Sequence, residues 1–411
     1  MYAVADTEKL VTDSIISHEQ AKEIELRARE AMVTLAINSV LFFGILSATG
    51  GLVFWLASPL SVAIFGILFL GSGLALLAYG KELFRMFGNA AALIGAGMMI
   101  GGGGLELVDK YFNSASYIMV FAGGIIAIIA GYRYKSGALT ARFVTGAIML
   151  MGVALHLFGV YLFMKQYSLT GLPVSLAHLY TAAVIGLVGW FVNVRIVTAL
   201  AIVPFAQALD TGTQYFHAAY VFYSPESTLS ILQMTLLIAS MLWLSKRTSE
   251  RSARHARVTS VMALIVANLC ALVGSLWGDR IGETIWGPGN RYWRSGYENH
   301  DAWKSAHDLF LETAWIIPGH VYSILWAVAL LLLVAFAAHR NNRGLFNTSM
   351  TFAGIHAYTQ MFESFADEPL AWVIGGLAAI PLAWGMWRLN TWFTNRIAVT
   401  ENANNENSGM P

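Results

Sequence analysis

Charge is scarce in this chain, and cysteine is almost absent. Of its 411 residues only 12% are charged, where an ordinary soluble domain has about 25%. Most of the chain therefore needs lipid or other helices as its solvent. The one cysteine, Cys270, lies in an apolar stretch. It excludes an intrachain disulfide and any cysteine-based zinc or iron–sulfur site. A net charge of +1 gives no global field to attract nucleic acid or an acidic partner. No P-loop, dinucleotide fingerprint or hydrolase elbow occurs, so direct use of ATP is not expected. No Lys or Arg falls between Ile196 and Ser245. The first thirty residues lack the apolar core and small-residue cleavage site of a signal peptide. The first membrane helix is then expected to act as the targeting signal.

What the chain does have is long apolar runs. Hydrophobic residues make up 57% of it. Twelve runs of about twenty residues fill it from Ala31 to Trp392. A bilayer core about 30 Å thick takes about 20 apolar residues to cross as a helix. The expected spans are 32–56, 59–79, 87–108, 115–132, 143–164, 173–193, 196–209, 226–245, 258–277, 313–338, 345–362 and 369–388. The seventh is short and interrupted by Pro204, and reads either as a span or as a re-entrant helix continuing past Asp210. With the N-terminus inside and the spans alternating, inside segments hold 19 of the 25 Lys and Arg and outside loops hold 6. That bias follows the positive-inside rule. The expected fold is an all-α polytopic transmembrane helical bundle of about 12 spans with both termini cytosolic. It implies a bacterial inner membrane, with lipids as partners and room for a membrane-protein partner or a second copy.

Around the bundle, residues 1–30 read as a cytosolic amphipathic arm, residues 31–392 as the transmembrane domain, and residues 393–411 as a disordered tail rich in Asn and Glu. In the arm, Ser17-His18-Glu19-Gln20 fits a capping box, and Glu25 and Arg29 stand at i,i+4. The one long outside loop, 278–312, mixes Trp286, Tyr292, Trp293, Tyr297 and Trp303 with carboxylates and histidines.

Three motifs together carry a resemblance. They are Ile15-Ile16-Ser17-His18-Glu19-Gln20-Ala21, the Gly-rich span Gly95–Gly104 followed by Leu105-Glu106-Leu107-Val108-Asp109, and Asn342-Arg343-Gly344-Leu345-Phe346-Asn347 leading to Phe362-Glu363. The chain resembles a broad group of bacterial multi-pass membrane proteins of unknown function, best over the first 130 and last 50 residues. Members of that group often have a Gln-containing signature after the Gly-rich span, where this chain has Glu106 and Asp109. The resemblance implies a topology and no activity.

Polar groups inside a bilayer are costly, so each invites a reason. In the third span Gly97 and Gly101 form G-x-x-x-G within a run of glycines. That suits tight helix packing, or a hinge opening a polar cavity near Glu106 and Asp109. His156 and His178 stand on neighbouring expected helices. They suit packing, a proton relay, or less well the axial ligands of a haem; no cofactor is assigned. Asp210, Gln214 and His217 would share a face if the seventh helix ran on. In the outer loop, Asp279, Glu283, Trp293, His300, Asp301, His307 and, just beyond it, His320 suit a sugar or lipid head group, or a plain interfacial belt. His300 and His307 share a face if helical, but the pattern is no zinc signature. Asn347, His356, Gln360 and Glu363 stand along the eleventh span, the last three on one face expected to look inward. These features support three readings. The first is a transporter-like or channel-like protein for a small solute or ion. The second is a membrane enzyme acting on a lipid or lipid-linked glycan at the outer face. The third is a non-catalytic scaffold or sensor subunit.

Overall fold

The computed structural model describes residues 7–29, 58–79, 85–137, 142–216, 219–289, 297–340 and 342–365, with isolated positions within 40–51 and 369–388. The expected spans 32–56 and 369–388 lie outside the described residues apart from those positions, as do the tail 393–411, His217 and Trp293. Two compact units divide the chain, Met1–Ser168 and Leu169–Pro411.

In the first unit, α1 (Thr7–Thr12) precedes α2 (residues 18–29). The capping box closes α2 as expected: the Gln20 backbone N–H donates to the Ser17 hydroxyl at 3.2 Å, and the Ser17 N–H to the Gln20 side chain at 2.9 Å. Four long helices follow: α3 (Pro59–Tyr79), α4 (Arg85–Lys110), α5 (Phe112–Ser136) and α6 (Arg142–Gln166). They pack chiefly as two hairpins, α3 with α4 and α5 with α6. Ala92, Leu93 and Val144 join α4 to α6.

Glycine makes both hairpins close. A Cβ on Gly66 or Gly73 of α3, or on Gly95 or Gly102 of α4, would come within 3.0 Å of the facing helix's backbone. Gly123, Gly152 and Gly159 do the same between α5 and α6. Lipid gives no hydrophobic drive to pair helices, so this backbone contact supplies dispersion that larger residues would forfeit. Of the two readings of the Gly-rich run, packing or a hinge, the helix shows no break: α4 is helical from Arg85 through Gly101–Gly104 to Lys110. Lipid offers no partner for a released backbone group, and that outweighs the poor helix propensity of four glycines.

The second unit begins with α7 (Leu172–Val192). The seventh apolar run then folds as two six-residue helices, α8 (Arg195–Leu200) and α9 (Ile202–Gln207). After them comes an antiparallel ribbon, β1 (Gly212–Phe216) with β2 (Ala219–Tyr223). The helix therefore does not continue past Asp210. That residue takes a left-handed turn at φ 56°, and Gln214 lies on a strand, so the shared helical face of Asp210, Gln214 and His217 does not form.

Next, α10 (Ser227–Arg247) and α11 (Glu250–Trp277) make an antiparallel hairpin. The Thr198 hydroxyl bonds His255 at 2.7 Å near the start of α11, while that of Thr211 bonds Ser230 at 2.7 Å near the start of α10. The α8–α9 segment thus runs from one end of this hairpin to the other. Beyond it lie β3 (Asp279–Arg280), α12 (His300–Thr313), β4 (Ile316–Ile317), α13 (Gly319–His339) and α14 (Arg343–Phe365). Pro318 opens α13, so the tenth span starts later than expected, and 300–313 is a helix of its own. Two apolar clusters hold the unit together. One is built on Ile202, Met234, Ala263 and Cys270, the other on Ala271, Trp326, Leu330 and Phe352.

Eight helices among the described residues are long and apolar enough to cross a membrane: α3 to α7, α10, α11 and α13. α14 has 23 residues but is more polar and is not one of them. The chain is an all-α, multi-pass membrane protein, and each unit is a helical bundle in contact with lipid.

Candidate functional site

The start of α10, the end of α11 and the start of α13 meet at one end of the second unit. α11 stops because Gly278 turns the chain at φ 69°, a conformation side chains resist. The chain then pairs β3 antiparallel with β4, setting Asp279 opposite Ile317 and Arg280 opposite Ile316. Gly282 (φ 86°) makes the next turn.

Three carboxyl groups are buried inside this turn. Glu226 is 0% exposed, Asp279 5% and Glu283 5%. Glu226, just before α10, accepts from the backbone N–H of Gly282 at 2.8 Å and of Thr284 at 2.6 Å. Asp279 accepts from the Thr228 N–H at 2.8 Å, capping α10 from another element, and from the Tyr322 hydroxyl at 3.2 Å. The Tyr322 and Thr228 hydroxyls bond one another. Glu283 lies 3.4 Å from Nδ1 of His307. On α12, Trp303 stacks on His307 with centroids 4.8 Å apart, and His300 stacks on Trp303 at 5.5 Å. Trp303 itself is pinned by its indole N–H to the Gly289 carbonyl at 3.1 Å.

Crowded acids in a dry place resist ionisation. Burial pushes Glu226 up to about 7, and Asp279 and Glu283 add to the rise against the pull of the two backbone donors. Burial also raises Glu283, while His307 and Arg280 oppose it. Among the described residues Asp279 Oδ1 and Thr284 Oγ1 are buried without a hydrogen-bond partner, and Glu283 Oε1 and His307 Nδ1 have only each other, at 3.4 Å and without hydrogen-bond geometry. Such atoms are uncommon in native interiors and call for a reason.

A cleft of about 660 Å³ opens onto Asp279 and Glu283. Its walls include Phe222, Trp277, Ile316 and Ile317, with Arg280 and Gln214 among the polar residues lining it. Trp277, Trp286 and Trp315 are exposed around this end, as side chains at head-group depth are. From Ser224 in the cleft lining inward, the Thr211 hydroxyl bonds those of Ser224 (2.9 Å) and Ser230 (2.7 Å), all buried. Among the described residues no group of three or more His, Cys, Asp or Glu side chains is arranged to hold a metal ion.

Of the residues singled out in the sequence, Asp279, Glu283 and His307 come together here, with His300 one ring further out. Asp301 is exposed in the first turn of α12, and His320 in that of α13. Tyr322, two residues on, is the side chain that enters the site. Asp210 accepts the Tyr223 hydroxyl at 2.8 Å.

In the first unit Glu106 pairs with Lys110 at 2.6 Å, and Asp109 is exposed. His156 bonds the Val120 carbonyl of α5 through Nδ1 at 2.8 Å, a helix-packing contact. His178 is half-buried on α7 in the second unit. Asn347 and Glu363 are exposed on α14, while Gln360 and His356 are half-buried. His356 meets Trp326 edge-on at 4.7 Å. The sequence reading missed Glu226, Tyr322 and Thr228. Pro225-Glu226-Ser227 looks like any helix start, and nothing local marks its carboxyl as buried.

Comparison of the chain with protein-family models, curated protein sequences and solved structures returns no match.

Proposed function

We propose that the second unit binds, and does acid–base chemistry on, the polar head of a membrane lipid or lipid-linked glycan at the outer face of a bacterial inner membrane. The carrying observation is Asp279 Oδ1, buried without a donor among the described residues, next to Glu283, whose Oε1 has only Nδ1 of His307 at 3.4 Å, beside an apolar-walled cleft. Head-group hydroxyls supply the missing donors, and the walls accept the start of a lipid tail. Glu283, held toward its protonated form, is the proton donor. Asp279, kept in place by Thr228 and Tyr322, is the acceptor. The exposed Trp residues at this end and the basic residues at the other end of α10 and α11 support the outward orientation.

Native mass spectrometry of protein extracted into lipid nanodiscs tests this. The wild type should retain a discrete glycolipid or other polar lipid, and Asp279→Asn and Glu283→Gln should lose it while still folding. Retention of only bulk phospholipid by all three proteins ends the proposal.

A transporter-like reading has its own support. Glu226 titrates near neutral behind the cleft, and the Thr211, Ser224 and Ser230 hydroxyls form a short hydrogen-bonded relay beside it. Proton flux into liposomes that Glu226→Gln abolishes, with no bound lipid, would favour that reading.

A further inference from the structure

A second cavity lies toward the other end of α10 and α11. It is a groove of about 540 Å³ between α7, α8, α9, α10 and α11, walled by Leu179, Ala183, Leu187, Ile202, Phe205 and Leu237. Its volume falls within the roughly 300–1,000 Å³ of small-ligand sites. Along α7 it extends from Leu179 to Trp190, about 16 Å at 1.5 Å per residue. Trp190, Thr248 and Ser252 line one end of it, and Thr198, His255 and Thr259 are its other polar lining residues.

That mouth is basic. Lys246 and Arg247 close α10, Arg195 opens α8, and Arg251 and Arg254 stand in the first turns of α11. The one acid of that turn, Glu250, lies 3.6 Å from Arg257. Arg251 donates to the Trp190 and Phe191 carbonyls at 2.5 and 2.7 Å, and its guanidinium lies 5.3 Å from the Trp190 ring centroid. Its Nε is buried without a partner. Ser249 precedes α11 without capping it by its side chain, so the first N–H groups of a 28-residue helix have no side-chain acceptor from that position.

We infer that this groove holds one tail of an anionic phospholipid, with the phosphate over Arg251 and the start of α11. A slot walled mostly by apolar side chains offers water few partners, so a tail fills it. In lipid the tail has little preference of its own, and selection falls to the head group. Clustered Lys and Arg and the N-terminus of a long helix together favour a phosphate bearing net negative charge. The site is separate from the acidic cleft and does not depend on its chemistry.

The test is native mass spectrometry of the purified full chain with equimolar phosphatidylglycerol and phosphatidylcholine of identical tails. The wild type should retain phosphatidylglycerol in preference. Arg251→Gln and Arg254→Gln should each reduce the preference roughly fivefold. Gly186→Leu should block retention of either lipid: a Cβ there meets only Ala201 at 3.7 Å, and the rest of the side chain fills the groove. Equal retention of both lipids by the wild type overturns the inference whatever the variants do. So does unchanged retention by folded Gly186→Leu.

Discussion

A carboxylate that accepts two backbone N–H bonds is ordinarily a strong acid, and Glu226 is the reverse because its burial and two acidic neighbours outweigh those bonds. Folding therefore favours its protonated form. Between the usual 4.5 and about 7 the native state binds more protons than the unfolded one, so stability falls as pH rises through that window. Glu283 shifts in the same direction. Thermal unfolding in nanodiscs from pH 5 to 8 should show the wild-type midpoint falling, and Glu226→Gln should flatten much of that slope. The amide turns an N–H toward a backbone donor, so the variant should also lose about 1–3 kcal/mol at low pH. An unchanged slope would place the titration elsewhere. Trp326 gives a second residue-scale prediction. Its indole N–H donates to Asn268 at 2.9 Å in a buried position. Trp326→Phe should cost about 1–3 kcal/mol, read by thermal or denaturant unfolding, for the acceptor left unmet and more for the lost packing.

At the scale of elements, the two glycine hairpins make sharp contrasts. Gly95→Ala and Gly73→Ala each drive a methyl into the facing backbone and should lower the melting temperature of the first unit. Among the described residues Gly101 and Gly103 meet nothing within 4 Å, so alanine there should stabilise by about 0.5–1 kcal/mol through helix propensity. If all four changes act alike, the close approach of α3 and α4 is not what holds the hairpin. The sequence announced a packing role for the glycines but pointed to Gly97 and Gly101. The contact between α3 and α4 uses Gly95 and Gly102, because four consecutive glycines carry no sign of which face a given partner will take. Helix limits were more legible, since apolar length states them directly. The α8–α9 segment was not, because Pro204 and a short run fit a broken span and a re-entrant turn equally well.

For the whole molecule, membrane threading follows from composition, while the acidic cleft follows only in part. Asp279, Glu283 and His307 stood out as charges in an aromatic loop next to a span. Glu226 and Tyr322 come from separate helices and reach the same place only through packing, which no local pattern encodes. Orientation remains open to a direct check. In a Cys270→Ala background, removing the buried thiol, Trp315→Cys should react with an impermeant maleimide from outside cells. Ser249→Cys should react only after permeabilisation. The opposite pattern would turn the cleft toward the cytosol and end the outer-face proposal.

The glycines of α4 that touch α3, Gly88, Gly95 and Gly102, recur every seven residues, two helical turns apart. The hairpin therefore has something like a reading frame. Deleting one residue between Gly88 and Gly102 would swing everything beyond it by about 100° and turn the glycines after the cut away from α3. A seven-residue insertion would lengthen the helix and leave them facing it. Length changes in this helix should thus be tolerated by sevens and refused by ones, even where the residue gained or lost is itself a glycine.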